Sequence, residues 1–394
     1  MYLGGALLLS LSMCLTSCED VLGHWEKPTP NIPDFNVTSI SLNKTSLDLF
    51  VEGGEKTATL TATLVGDPGN EKVEFSSEDD TRATVDPTTG EVTAVGGGEV
   101  TIYANIGPSL QAQCKVMVYD KLHDISTGAA DIPAGKLWMI TGTGDQKITI
   151  AELSSAYLKG VTITTTTDPC IETTGMGYIY LVDGTTNTMN ATGAAKCAAV
   201  NTAAGPLTIY GQTEGTGKLI AKGGTGGAGI GGSLDKNSKA ITILGGVIEA
   251  TGGENAAGIG SGDCTASATG YTGGEITISG GEVTATGGAN AAGIGTGYAH
   301  SYSSAVSPAC GSITIGQKVI RVTATRVTSG LYPIGKGKAA GVNDQALCGV
   351  IRFDNEKVTD DNGDYTITTA DGTYPHGGLT LAISGDTWTL TPTN

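Results

Sequence analysis

Basic residues are scarce in this chain: 22 Lys and Arg stand against 39 Asp and Glu, a formal net charge of −17 at pH 7. That imbalance excludes nucleic acid, anionic lipid and acidic polymers as partners held by bulk electrostatics, and mainly confers solubility. Histidine is scarcer still, and His24, His123, His300 and His376 have no metal-ligand spacing. The cysteines form no C-x-x-C pair and no Cys/His pattern of the kind zinc requires, so no cofactor is expected. Helical periodicity is nearly missing. The apolar run MYLGGALLLSLSMCLTSC is too short to span a bilayer as a helix and suits a signal peptide over residues 1–17.

What the chain has is glycine, 61 residues in 394, more than twice the usual share. Much of it sits in three near-copies of one phrase: LTIYGQTEGTGKLIAKGGTGGAGIGG from Leu207, ITILGGVIEATGGENAAGIGSG from Ile241 and ITISGGEVTATGGANAAGIGTG from Ile276. A degraded fourth follows from Ile313. A unit of this kind cannot bury its apolar face alone and must stack on its neighbours. Side chains alternate along a strand, so Leu219, Ala221, Ile248, Ala250, Val283 and Ala285 are expected inside, and Ile220, Glu249 and Thr284 outside. Paired glycines mark corners, where the chain needs positive φ. Each phrase holds three strands of three to five residues, one coil of a triangular solenoid, and is too short for a propeller blade of about 40 residues.

The reading is therefore an all-β chain ending in a right-handed parallel β-helix over residues 120–394. Coils are expected from near Leu137, and an irregular cap from about 350. Arg352 to Asp354, Tyr365 to Thr368, Leu379 to Ile383 and Thr387 to Leu390 look like hairpins that close the open end. Length differences between copies collect after AGIG-x-G, as expected of surface loops on a fixed scaffold. With Val182-Asp183-Gly184-Thr185-Thr186-Asn187, Gly217 to Ala221 and the serial AGIG-x-G, the stretch Leu181 to Gly337 resembles glycine-rich β-helix regions of bacterial cell-surface proteins, some of them carbohydrate-binding or adhesive. The resemblance identifies a scaffold and carries little about activity.

Residues 36–119 resemble the group 2 bacterial immunoglobulin-like domain. The likeness rests on Ser76 to Asp79, on Ala83-Thr84-Val85-Asp86, and on Gly90 to Val95 leading to Gly98 and Val100-Thr101-Ile102, with Phe75 where the family usually has tryptophan. Period-two strands between turn clusters support a small β-sandwich independently. The resemblance implies a spacer or an adhesive module on a surface protein. Upstream, Leu15-Thr16-Ser17-Cys18 matches the lipobox of bacterial lipoproteins, which implies lipid attachment at Cys18 and membrane contact through the anchor only. Glu19-Asp20 resemble an export signal for the outer face of the outer membrane. Residues 18–35 form a proline-spaced tether.

Gly227-Ala228-Gly229-Ile230-Gly231-Gly232 fits a dinucleotide fingerprint, but a polar loop follows it where a helix N-terminus should hold the pyrophosphate, so no nucleotide is expected. The outward threonine columns carry no proton-transfer chemistry. Glu249 and Glu282 are offset by two positions, opposite Thr284 and Val247, and form no facing acid pair. Asp360 to Asp364 reads as a hairpin turn rather than a calcium loop. Tyrosine outnumbers phenylalanine 13 to 4, and Tyr271, Tyr298, His300 and Tyr302 concentrate in two corner loops, where flat rings among hydroxyls suit sugar faces. A disulfide between Cys264 and Cys310 is expected at that corner, Cys170 with Cys197 is a weaker pairing, and Cys114 reads as a buried thiol. The expected function is non-enzymatic adhesion to a glycan or a neighbouring cell surface. The alternatives are a polysaccharide lyase or hydrolase, and a structural envelope component.

Overall fold

The computed structural model describes residues 35–107, 109–265, 273–299, 309–329, 331–340, 347–361 and 363–393. Three parallel sheets wind around one apolar core from the end of the N-terminal domain almost to the C-terminus. The first face stacks Leu137–Thr141, Ser154–Leu158, Gly177–Leu181, Leu207–Gly211, Ile241–Ile243, Ile276–Ile278, Ile313–Ile315 and Ile351–Phe353 in that order. The second includes Lys218–Lys222, Val247–Thr251, Gly281–Thr286 and Val319–Thr325, and the third is an eight-stranded sheet from Ala130–Ile132 to Ile334–Gly335. Each phrase therefore supplies one strand per face. Alternation decides which side chains go in. Ile241 and Ile243 pair with Ile276 and Ile278 in register, and all four are buried, as are Ile248, Ala250, Val283 and Ala285.

The AGIG-x-G phrase has a backbone explanation. Gly231, Gly260 and Gly295 share φ near +137° on successive coils. A Cβ on Gly260 would lie well inside van der Waals contact with the Gly295 carbonyl oxygen, so only glycine lets these turns stack. One turn along, Asn255 and Asn290 hold left-handed φ of 64° and 65°, which asparagine tolerates better than most residues. The Asn290 amide donates to Asn255 Oδ1 at 2.9 Å, which links the two coils.

The N-terminal domain is a sandwich. Glu74–Ser77, Gly98–Ile106, Leu110–Asp124 and Ser46–Glu52 form one layer, and Thr57–Thr59, Glu91–Ala94 and Ala83–Val85 the other. Leu49, Leu60, Phe75, Val92, Ile102, Cys114 and Val116 fill it, with Cys114 fully buried. Its last strand does not stop at the domain boundary. After pairing with Gly98–Ile106, the strand Leu110–Asp124 continues, and Lys121 to Asp124 pair in parallel with Trp138 to Thr141. The helix thus begins before Leu137, and no linker intervenes. The polar mix Tyr119-Asp120-Lys121-Leu122-His123-Asp124 hides the junction, because Asp120 to His123 are all half-buried and show no alternation.

The far end is closed as expected for three of its segments, the first being Ile351–Phe353, which turns back in a hairpin with Glu356–Lys357. Thr387–Pro392 adds antiparallel to Val319–Thr325, followed by Leu379–Ser384 and Gly372–His376, with Trp388 buried beneath. Tyr365 to Thr368 is not a hairpin strand; it makes a single bridge between Thr359 and Tyr365. The Tyr365 ring is spent instead on packing between Tyr332 and Trp388.

Two cysteine expectations are corrected. Cys310 bridges Cys348, not Cys264, because Ala309–Cys310 pairs in register with Leu347–Cys348 one coil on, with 4.7 Å between Cα atoms. Cys264 belongs to a different ladder, opposite Ala299. Cys170 and Cys197 are unbridged, and their thiols donate to the Ile163 and Thr167 carbonyls.

Replacing Ile243 or Ile278 with Asp should lower stability by roughly 4 kcal/mol or more, because a charge would be buried without a partner between two coils. Urea denaturation checks this, and a midpoint unchanged by either substitution would contradict the stacking.

Candidate functional site

Where the two domains meet, a cleft of about 670 Å³ opens. Ser46, Asp48, Glu99, Lys115 and Met117 of the immunoglobulin-like domain line one wall, and Tyr157, Tyr180, Asp183, Gln212 and Thr213 of the β-helix line the other. The sandwich's strand register brings Glu99 opposite Met117, and Asp48 opposite Met117 on the other side. On the helix, Tyr157, Tyr180 and Tyr210 are paired in register on three successive coils. They point out because their neighbours Ala156, Leu158, Ile179, Leu181 and Ile209 point in.

The rings form a ladder. Tyr157 stacks on Tyr180 at 4.3 Å and Tyr180 on Tyr210 at 4.7 Å between centroids, nearly parallel in both cases. Tyr119 meets Tyr157 edge-on at 5.0 Å, and Phe50 stacks on Tyr119 at 5.3 Å, so the ladder runs from the sandwich onto the helix. The stacked rings cover one another's faces, and Tyr157 and Tyr180 line the cleft. Burial raises the Tyr157 and Tyr180 phenols above their ordinary value, with neighbouring tyrosines adding to it. These hydroxyls therefore stay neutral and able to donate at physiological pH.

The carboxylates differ in their ties. Asp48 is raised above 3.8, first by the protein atoms that shield its carboxyl although the side chain as a whole is exposed, against an opposing pull from Lys159. Glu99 lies 3.7 Å from Lys115, both well exposed. Burial acts to raise Asp183, but hydrogen bonds outweigh it and leave it lowered. It accepts from the Glu214 and Thr216 N–H groups at 2.9 Å each and from the Thr216 hydroxyl at 3.2 Å. Gln212 Oε1 accepts from the Asp183 N–H at 3.0 Å. Asn187, fully buried, accepts from the Val161 N–H and donates to the Lys218 carbonyl. The acid and the amide of the VDG-x-x-N stretch are thus staples between coils, and they fix the helix wall of the cleft.

Of the corner residues named from sequence, Tyr271, His300 and Tyr302 lie outside the described residues, as do Cys18 and the tether up to residue 34. Tyr298 is half-buried, its N–H donating to the Asn255 carbonyl and its own carbonyl accepting from Cys264, both at 2.8 Å. Glu249 and Glu282 face Thr284 and Val247, and they pair with Lys218 at 2.7 Å and with Arg321, cations of neighbouring coils. In the Asp360 to Asp364 turn, Asp361 and Asp364 are each met by a lysine, Lys357 and Lys336, at 2.6 Å. Sequence reasoning missed Asp48, Tyr157, Tyr180 and Gln212. A signal existed for the tyrosines, since SSAYL, GYIYL and LTIYG place one at the same outward position in three successive coils.

Fold and junction define a two-domain all-β protein, a sandwich fused to a solenoid. Residues 36–116 match the bacterial Ig-like domain (group 2), and residues 241–263 and 276–298 match the beta helix repeat. The chain is a group 2 bacterial immunoglobulin-like domain followed by β-helix repeats, a combination that fits a surface protein. Neither the curated proteins nor the solved structures contain a significant match.

Asp183→Asn should lower the melting temperature at pH 7. A carboxylate whose folded pKa is depressed adds stability above its unfolded value of 3.8 and loses it as pH falls through the folded value. The gap between wild type and variant should therefore shrink below pH 3.8. A pH series of thermal melts with a constant gap would contradict the staple.

Proposed function

We propose that this protein is a surface-displayed lipoprotein that binds a glycan without cleaving it. The observation that carries the reading is the tyrosine ladder opening into the cleft between the domains. Neutral phenols beside carboxylate and amide groups suit the alternating C–H and hydroxyl surfaces of a sugar. Cys18 is the acylation site, the tether from residue 18 to 35 holds the body off the outer membrane, and the two domains present the cleft to the surroundings. Multiple acyl chains make such anchoring durable, at about 0.8 kcal/mol per buried methylene.

One experiment tests anchor and binding together. Cells producing the wild type should attach to beads coated with bacterial or host polysaccharide and leave the polysaccharide intact. Cells producing Cys18→Ala should shed the protein and fail to attach, while the shed protein still binds. Soluble sugar fragments released from the beads would replace the reading with a lyase or hydrolase. Attachment unaffected by Cys18→Ala would remove the lipid anchor from it.

A further inference from the structure

The immunoglobulin-like domain supplies half of the cleft's lining, which a spacer would not do. Within that lining, Asp48 stands apart. Asp183 is held by backbone and hydroxyl donors and Glu99 faces Lys115, whereas Asp48 accepts no hydrogen bond from the described residues. It nevertheless lines the same cleft as Tyr157 and Tyr180. Across the cleft, Gln212 spends its carbonyl oxygen on the Asp183 N–H, so its amide N–H groups are the part left to meet a ligand.

The cleft thus offers an exposed acceptor at Asp48 and donors at Gln212, the half-buried Tyr180 and the edge of the buried Tyr157, on walls belonging to different domains. Groups that both donate and accept, a few ångströms apart, satisfy such a pattern; adjacent hydroxyls of a sugar do so. A uronate or sulfate group would meet the like charges of Asp48, Glu99 and Asp183. We infer that this cleft seats a neutral hexopyranose segment of a polysaccharide, with Asp48 accepting from two adjacent sugar hydroxyls and the phenols and Gln212 donating to ring or hydroxyl oxygens. The inference rests on the glycan-binding reading above, and adds the seat, the charge class of the ligand and a direct role for the N-terminal domain.

The test uses the full mature chain in titration calorimetry, with neutral hexasaccharides of glucose and mannose in several linkages, an oligogalacturonate hexamer and a hexalysine peptide as probes. At least one neutral hexasaccharide should bind. Asp48→Ala and Tyr180→Ala should each weaken it about tenfold or more, and Asp48→Asn by less than Asp48→Ala, because the amide keeps one acceptor oxygen. Melting temperatures of the Asp48 variants should be no lower than wild type, because a carboxylate raised by burial does not stabilise the fold at neutral pH, which separates loss of a ligand contact from loss of fold. Neutral-sugar binding that survives these substitutions but is lost in Tyr298→Ala would move the seat to the distal corner and overturn the inference while leaving glycan binding standing. Preference for oligogalacturonate would overturn the charge argument, and binding of hexalysine alone would make the cleft a peptide site. Failure of all saccharides would remove the glycan reading itself.

Discussion

The rest of the structure depends on one continuous run of backbone hydrogen bonds, the pairing of Leu110–Asp124 on both sides of the domain boundary. Its first part closes the sandwich against Gly98–Ile106, and Ser46–Glu52 lies parallel to it from Lys115 to Lys121. Its last four residues start the helix against Leu137–Thr141. A strand shared in this way cannot hinge without breaking ladder bonds in one domain or the other. Above it, Phe50, Tyr119, Met139 and Tyr157 form a small core of their own that belongs to neither domain. The aromatic ladder extends that core outward to Tyr180 and Tyr210.

Function follows from that rigidity. A cleft whose two walls belong to separately moving domains would vary in width, and a ligand would have to fix it at a cost in conformational entropy. Here sandwich and helix are joined by backbone pairing, and the VDG-x-x-N staples hold the corner that carries Gln212. The polar groups at the cleft are therefore positioned before any ligand arrives. This also bears on the role of the N-terminal domain, which a resemblance alone leaves as spacer or adhesive module.

Much of the architecture is legible in the sequence because it is periodic. Ile243 over Ile278, the threonine columns and the offset of Glu249 from Glu282 follow from alternation within a repeat, and the buried Cys114 from alternation along a sandwich strand. What was not legible arises between distant segments. The disulfide of Cys310 depends on which coil lies next to it, and the segment before Cys348 departs from the repeat phrase, which hides the register. The first helix strand, Lys121 to Asp124, precedes the coils read from near Leu137 because its half-buried polar mix shows no alternation. Asp48 and Tyr157 are more than 100 residues apart, and nothing local in either segment indicates that they line one cleft. The tyrosine excess was a sound signal, yet attention to loops passed over the three strand tyrosines that align only once the coils are counted.

The central claim is that the sandwich and the first coils are one cooperative body. Hydrogen exchange followed by mass spectrometry across residues 98–158 tests it most directly. Peptides from Gly98–Ile106, Leu110–Asp124 and Ser154–Leu158 should open together, with similar protection that is lost in one event as denaturant is raised. Protection that disappears from the sandwich strands while Ser154–Leu158 stays closed would show two independent domains, and would contradict the account.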